Sequence, residues 1–192
     1  MKRLISKIIP ALLVFGCAAE LKTSEAAEED IITWDACSQT ITDHPCDFSL
    51  VDQHGEDWGL YNNIGRVIIL DFSTEWCGAC HAAAITAQEI QDEYEDYGVL
   101  YVTILVEDAI GNPGSPELVE KWSNHYGMTT APVLAGDRSM LDTSGQGLDG
   151  WPITSWPSFF VITEDMILSA KHSGFSEASI RALIERGIAD SQ

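Results

Sequence analysis

Apolar positions along this chain fall into blocks of two kinds. Val67 to Ser73 and Val99 to Val106 are near-continuous apolar and β-branched runs, the pattern of strands buried on both faces. Between them Ala83, Ala87, Ile90, Tyr94 and Tyr97 recur at helical spacing, so Cys77 to Tyr97 predicts an amphipathic helix, ended by Gly98. Two parallel strands joined by a helix must cross over right-handed. Ser115-Pro116-Glu117 starts a second helix that runs to about Tyr126, with Ser as cap and Pro at the first position. Phe159 to Ile162 predicts a third core strand, and Met166 to Lys171 its hairpin partner, stopped by Gly174. Ser176 caps a last helix whose buried stripe is Ile180, Leu183, Ile184 and Ile188. Ahead of the core, Phe48 to Val51 and the stretch of Trp58 and Leu60 form a short hairpin about His54-Gly55. The class is α/β, a central mixed sheet flanked by helices. Residues 127 to 152 are a Gly-rich connection with Val133-Leu134 as a short strand.

The first residues obey a different pattern. Lys2, Arg3 and Lys7 precede an apolar run from Ile8 to Phe15 that is too short to span a bilayer as a helix. Residues 1–16 therefore read as an export signal. Val14-Phe15-Gly16-Cys17 is similar to a bacterial lipobox, which would make Cys17 a lipidation site; Phe15 departs from the small residue usual there, and a cut near Ala19 or Ala26-Ala27 is the alternative. Ala18 gives no inner-membrane retention signal. Residues 18–30, rich in Ala and Glu, read as a tether. The division is thus 1–16 signal, 17–45 anchored tether and extension, 46–192 folded domain.

Charge narrows the partners. The 192 residues carry 10 Lys+Arg against 30 Asp+Glu, a formal charge of −20, and the signal holds three of the cations. Such a surface repels nucleic acid and anionic lipid headgroups.

The candidate chemistry sits where the first strand meets the first helix. Cys77-Gly78-Ala79-Cys80 is a Cys-x-x-Cys at a helix start, the layout of a dithiol redox centre. Unpaired N–H groups and the helix dipole favour negative charge at that end, so the Cys77 thiolate is favoured. Cys77 is the candidate nucleophile and the more buried Cys80 the resolving thiol. Cys77-Gly78-Ala79-Cys80-His81 also spells the c-type haem attachment signature, with His81 as iron ligand; otherwise His81 is an ordinary helix-surface residue. A copper site on the same pair is a third reading. A zinc site lacks a second Cys or His pair at ligand spacing. In an oxidising compartment Cys37 and Cys46 form a structural disulfide; a second redox couple is the alternative, without a helix start to support it. No cation stands beside Cys77 in the sequence, while Asp71 and Glu75 add negative charge, so the pair reads as a reductant.

Asp71-Phe72 followed by Glu75-Trp76-Cys77-Gly78-Ala79-Cys80 resembles the thioredoxin active site, with Ala79 in place of the usual Pro. The hairpin and the connection between the second and third core strands resemble the TlpA/ResA branch of exported thioredoxin-like proteins. The resemblance covers about residues 46–188 and implies a thioredoxin fold with an N-terminal hairpin and an insertion before the third core strand. It implies that Asp71 is a buried acid that moves the proton of the cysteine pair, and that Pro157 is a cis-proline packed against it. Trp76, Trp156 and Pro157 would then face an extended substrate chain; Pro132 and Pro152 are weaker matches to the cis position. The implied activity is thiol–disulfide oxidoreduction on protein disulfides without a bound cofactor, fed by a membrane electron donor. Two positions depart from the family. Ala83 stands where ResA-like proteins often carry Glu, and Ile85 where thioredoxins often carry a kinking Pro.

Overall fold

The computed structural model describes residues 34–142, 144, 146, 147 and 150–192. The signal 1–16, Cys17 and the tether through residue 30 lie outside the described residues. The compact unit runs from Trp34 to Gln192, so its N-terminal edge stands well ahead of the expected boundary at position 46.

The elements follow from the hydrophobic pattern. β1 (Ser49–Val51) and β2 (Asp57–Gly59) form the antiparallel hairpin. The core comprises β3 (Val67–Thr74), α1 (Gly78–Tyr94), β4 (Val99–Glu107), α2 (Pro116–Tyr126), β5 (Val133–Ala135), β6 (Ser158–Ile162), β7 (Leu168–Ser173) and α3 (Glu177–Asp190). The sheet order is β5-β4-β3-β6-β7, with β3, β4 and β5 parallel and the other pairings antiparallel. Every residue of β3 and β4 is buried, as continuous apolar strands at a sheet centre require.

Alternation along β3 divides the core into two layers. Val67 and Ile69 face Ala83, Ala87 and Ile90 of α1, Val119 and Trp122 of α2, and Ile180 and Ile184 of α3. Ile68, Leu70 and Phe72 face Leu60, Trp151 and Ile153 on the other side. Gly187 sets the approach of α3: a Cβ there would meet Val161 Cγ1 at 2.5 Å and Val67 Cγ1 at 2.9 Å. Trp151 comes from the Gly-rich connection and packs on Phe72 and Phe160 at 5.2 and 4.9 Å between ring centroids. That connection therefore contributes to the core.

Four differences from the sequence expectation bear on the packing. The helix gives way at Glu95 to a 3₁₀ turn, Glu95–Tyr97, before Gly98 at φ 75°. The tighter turn takes Tyr97 off the buried face, and it is 63% exposed. Met166 is not in the hairpin strand; it occupies the turn at φ 57°, and β7 begins at Leu168. Ser176 stands at the N-cap of α3, but its side chain makes no capping hydrogen bond. By contrast Ser115 caps α2 by accepting from the Leu118 N–H at 3.2 Å.

The fourth difference is the segment before position 46. The Thr42 N–H donates to the Leu168 carbonyl at 2.8 Å and the Leu168 N–H to the Asp43 carbonyl at 2.9 Å, docking it near the start of β7. Trp34 stacks on His44 at 3.9 Å and donates to the Tyr61 hydroxyl at 3.0 Å. Cys37 and Cys46 are joined by a disulfide with Cα atoms 4.8 Å apart. Closing so short a loop removes unfolded-state entropy worth about 2–3 kcal/mol. Replacing both cysteines by Ala should lower unfolding stability by that amount, read from the denaturant midpoint, while leaving disulfide-reductase activity at the wild-type level.

Candidate redox site

The turn between β3 and α1 builds the site. Cys77 is extended, at φ −91° and ψ 111°, and is the N-cap of α1. Its Sγ accepts the Cys80 N–H at 3.2 Å. Cys77 and Cys80 are disulfide-bonded with Cα atoms 5.2 Å apart. Cys77 retains 7% exposure and Cys80 none, so one sulfur faces solvent and the other the core. The Ala-rich sequence after Cys80 is strongly helix-forming and holds this first turn in place. A thiolate at Cys77 would keep the Cys80 N–H bond and strengthen it by its charge.

Asp71 lies on the helix-facing side of β3 and is 1% exposed. Its carboxyl accepts the Ser73 hydroxyl at 2.7 Å and the Tyr101 hydroxyl at 3.1 Å. Burial raises its pKa from 3.8 to about 7, against the lowering effect of those two bonds. Burial and the neighbouring Asp71 push the Tyr101 hydroxyl well above its ordinary value, so Tyr101 remains a donor.

The residues around the pair are fixed by two carboxylates. Trp76 is 48% exposed, and its indole N–H donates to Glu107 at 3.0 Å. Glu107 is also paired with Arg138, and that pairing, ahead of the Trp76 bond, holds its pKa below the usual carboxylate range. Glu75 is paired with Lys121 at 2.6 Å and accepts the Ala109 N–H at 2.9 Å, and Lys121 holds its pKa down. These pairings reduce, without abolishing, the negative charge beside Cys77. Glu75 has a cation on it, and Asp71 is only partly ionised at neutral pH.

The Trp156–Pro157 peptide is cis, and no other cis bond occurs among the described residues; Pro132 and Pro152 are trans. The Trp156 ring meets Trp76 edge-to-face at 6.3 Å. Trp76, Cys77, Trp156 and Pro157 are thus brought together by the β3–α1 turn and the approach to β6.

His81 is not an ordinary surface residue. One ring nitrogen bonds the Glu75 carbonyl at 2.7 Å and the other the Tyr126 hydroxyl. The ring packs on Trp122 at 4.8 Å. With Leu118, Lys121 and His125 these residues line a cleft of about 210 Å³. The haem reading fits this arrangement poorly, since both sulfurs are bonded to each other and both imidazole nitrogens are engaged. Among the described residues, no three or more His, Cys, Asp or Glu converge as a metal site. At the departures from the family, Ala83 is packed in the core and Ile85 is 69% exposed.

Sequence reasoning missed Ser73, Tyr101, Glu107, Lys121, Arg138 and Tyr126. Only Ser73 carried a local signal, as a second polar residue on the Asp71 side of an otherwise apolar strand.

Comparison with known proteins agrees with this geometry. The model of the AhpC/TSA family matches residues 41–171, more than half of the chain. The thioredoxin-like protein YneN of Bacillus subtilis is 24% identical over 128 residues, 67% of this chain and 68% of that protein. The thiol-disulfide oxidoreductase ResA of Geobacillus thermodenitrificans is 27% identical over 120 residues, 62% of this chain and 61% of that protein. Among solved structures, a putative thiol:disulfide interchange protein DsbE from Chlorobium tepidum superposes with a TM-score of 0.60 at 23% identity, covering 79% of this chain and 97% of that one. The exposed lipoprotein thioredoxin of Streptococcus pneumoniae gives a TM-score of 0.53 at 29% identity, covering 73% of this chain and 99% of that one.

Proposed function

The chain belongs to the AhpC/TSA family, with the thioredoxin-like thiol–disulfide oxidoreductases of the TlpA/ResA kind, and on that premise we propose that it exchanges disulfides with polypeptide substrates through Cys77 and Cys80, acting as a reductant. The observation that carries this reading is the Cys77–Cys80 bond at the mouth of α1, with the more accessible sulfur as helix cap.

The Cys77 thiolate attacks one sulfur of the substrate disulfide. A new S–S bond forms, and the other substrate sulfur leaves as a thiolate and takes a proton. Cys80 then gives its proton to the Asp71 carboxylate and attacks Cys77 Sγ. The Cys77–Cys80 bond forms, and the substrate's second thiol is released. Two electrons have passed to the substrate. Asp71, with a pKa near neutrality, is suited to take and return that proton at physiological pH. Trp76 and Trp156 offer an extended chain two aromatic walls, and the Trp156 backbone beside the cis-Pro157 a place to pair.

The setting belongs to the proposal as well. The basic and apolar start of the chain and Cys17 support export to the bacterial cell envelope with a lipid anchor. Among the described residues no helix is long and apolar enough to cross a membrane. A reductant in an oxidising compartment needs electrons from a membrane donor. The domain division, signal 1–16, anchored extension from 17 and folded unit to 192, is part of the same reading.

Insulin reduction with dithiothreitol as electron source tests it. The wild-type protein should speed precipitation of the insulin B chain, and Cys77→Ala should fall to the uncatalysed rate. A wild-type protein no faster than buffer would overturn the proposal, and a Soret band in the purified protein would replace it with the haem reading.

A further inference from the structure

Glu107 is the last residue of β4, and its side chain is only 6% exposed. A buried carboxylate is retained only if its charge is met. The charge is met from two directions. Trp76, the residue before Cys77, donates its indole N–H at 3.0 Å. Arg138 donates through both Nε and Nη2, the latter at 3.0 Å, in the two-pronged geometry that a planar guanidinium allows. Arg138 comes from the connection between β5 and β6, which has no part in the redox pair itself.

That connection is built to hold Arg138 still. Its 3₁₀ turn, Arg138–Met140, is capped by Asp137, whose carboxylate accepts the Ser139 N–H at 2.6 Å. Just before it, the Gly136 N–H donates to the Leu105 carbonyl of β4 at 2.9 Å, and its carbonyl accepts the Gly114 N–H at 2.9 Å. The fit is close: a Cβ on Gly136 would meet Ile104 Cγ2 at 2.6 Å. Met140 packs against the core, and the Trp151 N–H donates to its carbonyl at 2.8 Å. A second tie joins the same strand end to the site, because the Glu75 N–H donates to the Glu107 carbonyl at 2.9 Å.

Resting on the function proposed above, we infer that Arg138 is a positioning residue for substrate recognition: through Glu107 it fixes the indole of Trp76 against Trp156, and so sets the aromatic walls beside Cys77 that a polypeptide disulfide must enter. The insertion is thereby a specificity element of the redox site. Trp76 is half-exposed; its indole N–H bonds Glu107 and its ring meets Trp156 edge-to-face. Without Arg138, Glu107 would be a buried carboxylate with one neutral donor. It would take up a proton or turn out to solvent, and in either case Trp76 would lose its charged acceptor. A small disulfide, which needs no walls, would feel the change least.

The test compares wild type, Arg138→Ala and Arg138→Lys, with Arg186→Ala as a control that removes a cation from α3. Hydrogen exchange of the Trp76 indole N–H, followed by NMR on the oxidised proteins, reads positioning without reference to activity. KM and kcat for insulin reduction read recognition. Arg138→Ala should speed Trp76 exchange and raise KM for insulin about 5–20-fold with kcat within about twofold, the pattern of lost substrate binding. Arg138→Lys should recover part of both effects, since a lysine supplies the charge but not the fork. Unchanged exchange at Trp76, or an unchanged KM in a folded Arg138→Ala protein, would overturn the inference. A wild type inactive on insulin would defeat the enzymatic reading and the recognition role with it; the exchange result would still show whether Arg138 holds Trp76.

Discussion

Replacing Asp71 by Asn is expected to stabilise the oxidised protein near pH 8 and to leave its stability near pH 4 almost unchanged. The folded protein holds the Asp71 proton up to about pH 7, whereas the unfolded chain releases it near 3.8. Between those values the folded state binds the extra proton, so the stability from this group is fully present below about pH 4 and is lost as pH rises through about 7. The interval corresponds to a loss on the order of 4 kcal/mol. Asn does not titrate; its Oδ1 can accept from one of the two hydroxyls, which Asp71 receives on separate oxygens, and its amide NH₂ can donate to the other, so it escapes that loss. Denaturant midpoints of the two oxidised proteins, measured from pH 4 to 8, should converge at the acid end and separate at the alkaline end. Parallel curves would show that Asp71 does not carry the protonation assigned to it. The same substitution should slow turnover by on the order of 10²-fold, because Cys80 loses its proton acceptor. A more stable and less active variant is the mark of a group kept for chemistry.

The second large effect separates the two sulfurs. Cys80→Ser should accumulate a covalent adduct with a polypeptide disulfide, because Cys77 can still attack while nothing resolves the mixed disulfide. Cys77→Ser should form none, since Cys80 has no exposure to incoming substrate. Both should reduce insulin at the uncatalysed rate. Mass spectrometry after acid quench distinguishes them, and adducts of equal yield on the two variants would remove the assignment of attacking and resolving roles.

How much of this was legible beforehand depends on the distance between partners in the chain. β3 and β4 could be read because every residue in them is buried and apolar runs of that length have few other uses. The Cys-x-x-Cys could be placed because strand, turn and helix are contiguous. Asp71 could be named from its position, but its environment could not, because Tyr101 lies on the neighbouring strand. His81 was misread for the same reason: Tyr126, which bonds it, is 45 residues away and reaches it only through the packing of α2 against α1. Glu107 and Arg138 are each unremarkable polar positions until the fold brings them against Trp76. The segment from Trp34 to Pro45 reads in sequence only as an extension ahead of the domain, because it carries no periodic apolar pattern. It belongs to the compact unit because its backbone bonds the chain at the start of β7 and its disulfide closes it. Local pattern finds elements and motifs; side-chain partners from separate elements are invisible to it.

The central claim is that the Cys77–Cys80 pair cycles between bonded and free forms. Its most direct measurement is a redox titration in dithiothreitol buffers of graded poise, with free thiols alkylated and counted by mass spectrometry. The account predicts one reversible transition in which Cys77 and Cys80 are alkylated together, while Cys37 and Cys46 stay blocked until the chain is unfolded. Cysteines 77 and 80 that resist reduction, react independently of each other, or carry a permanent modification would contradict it.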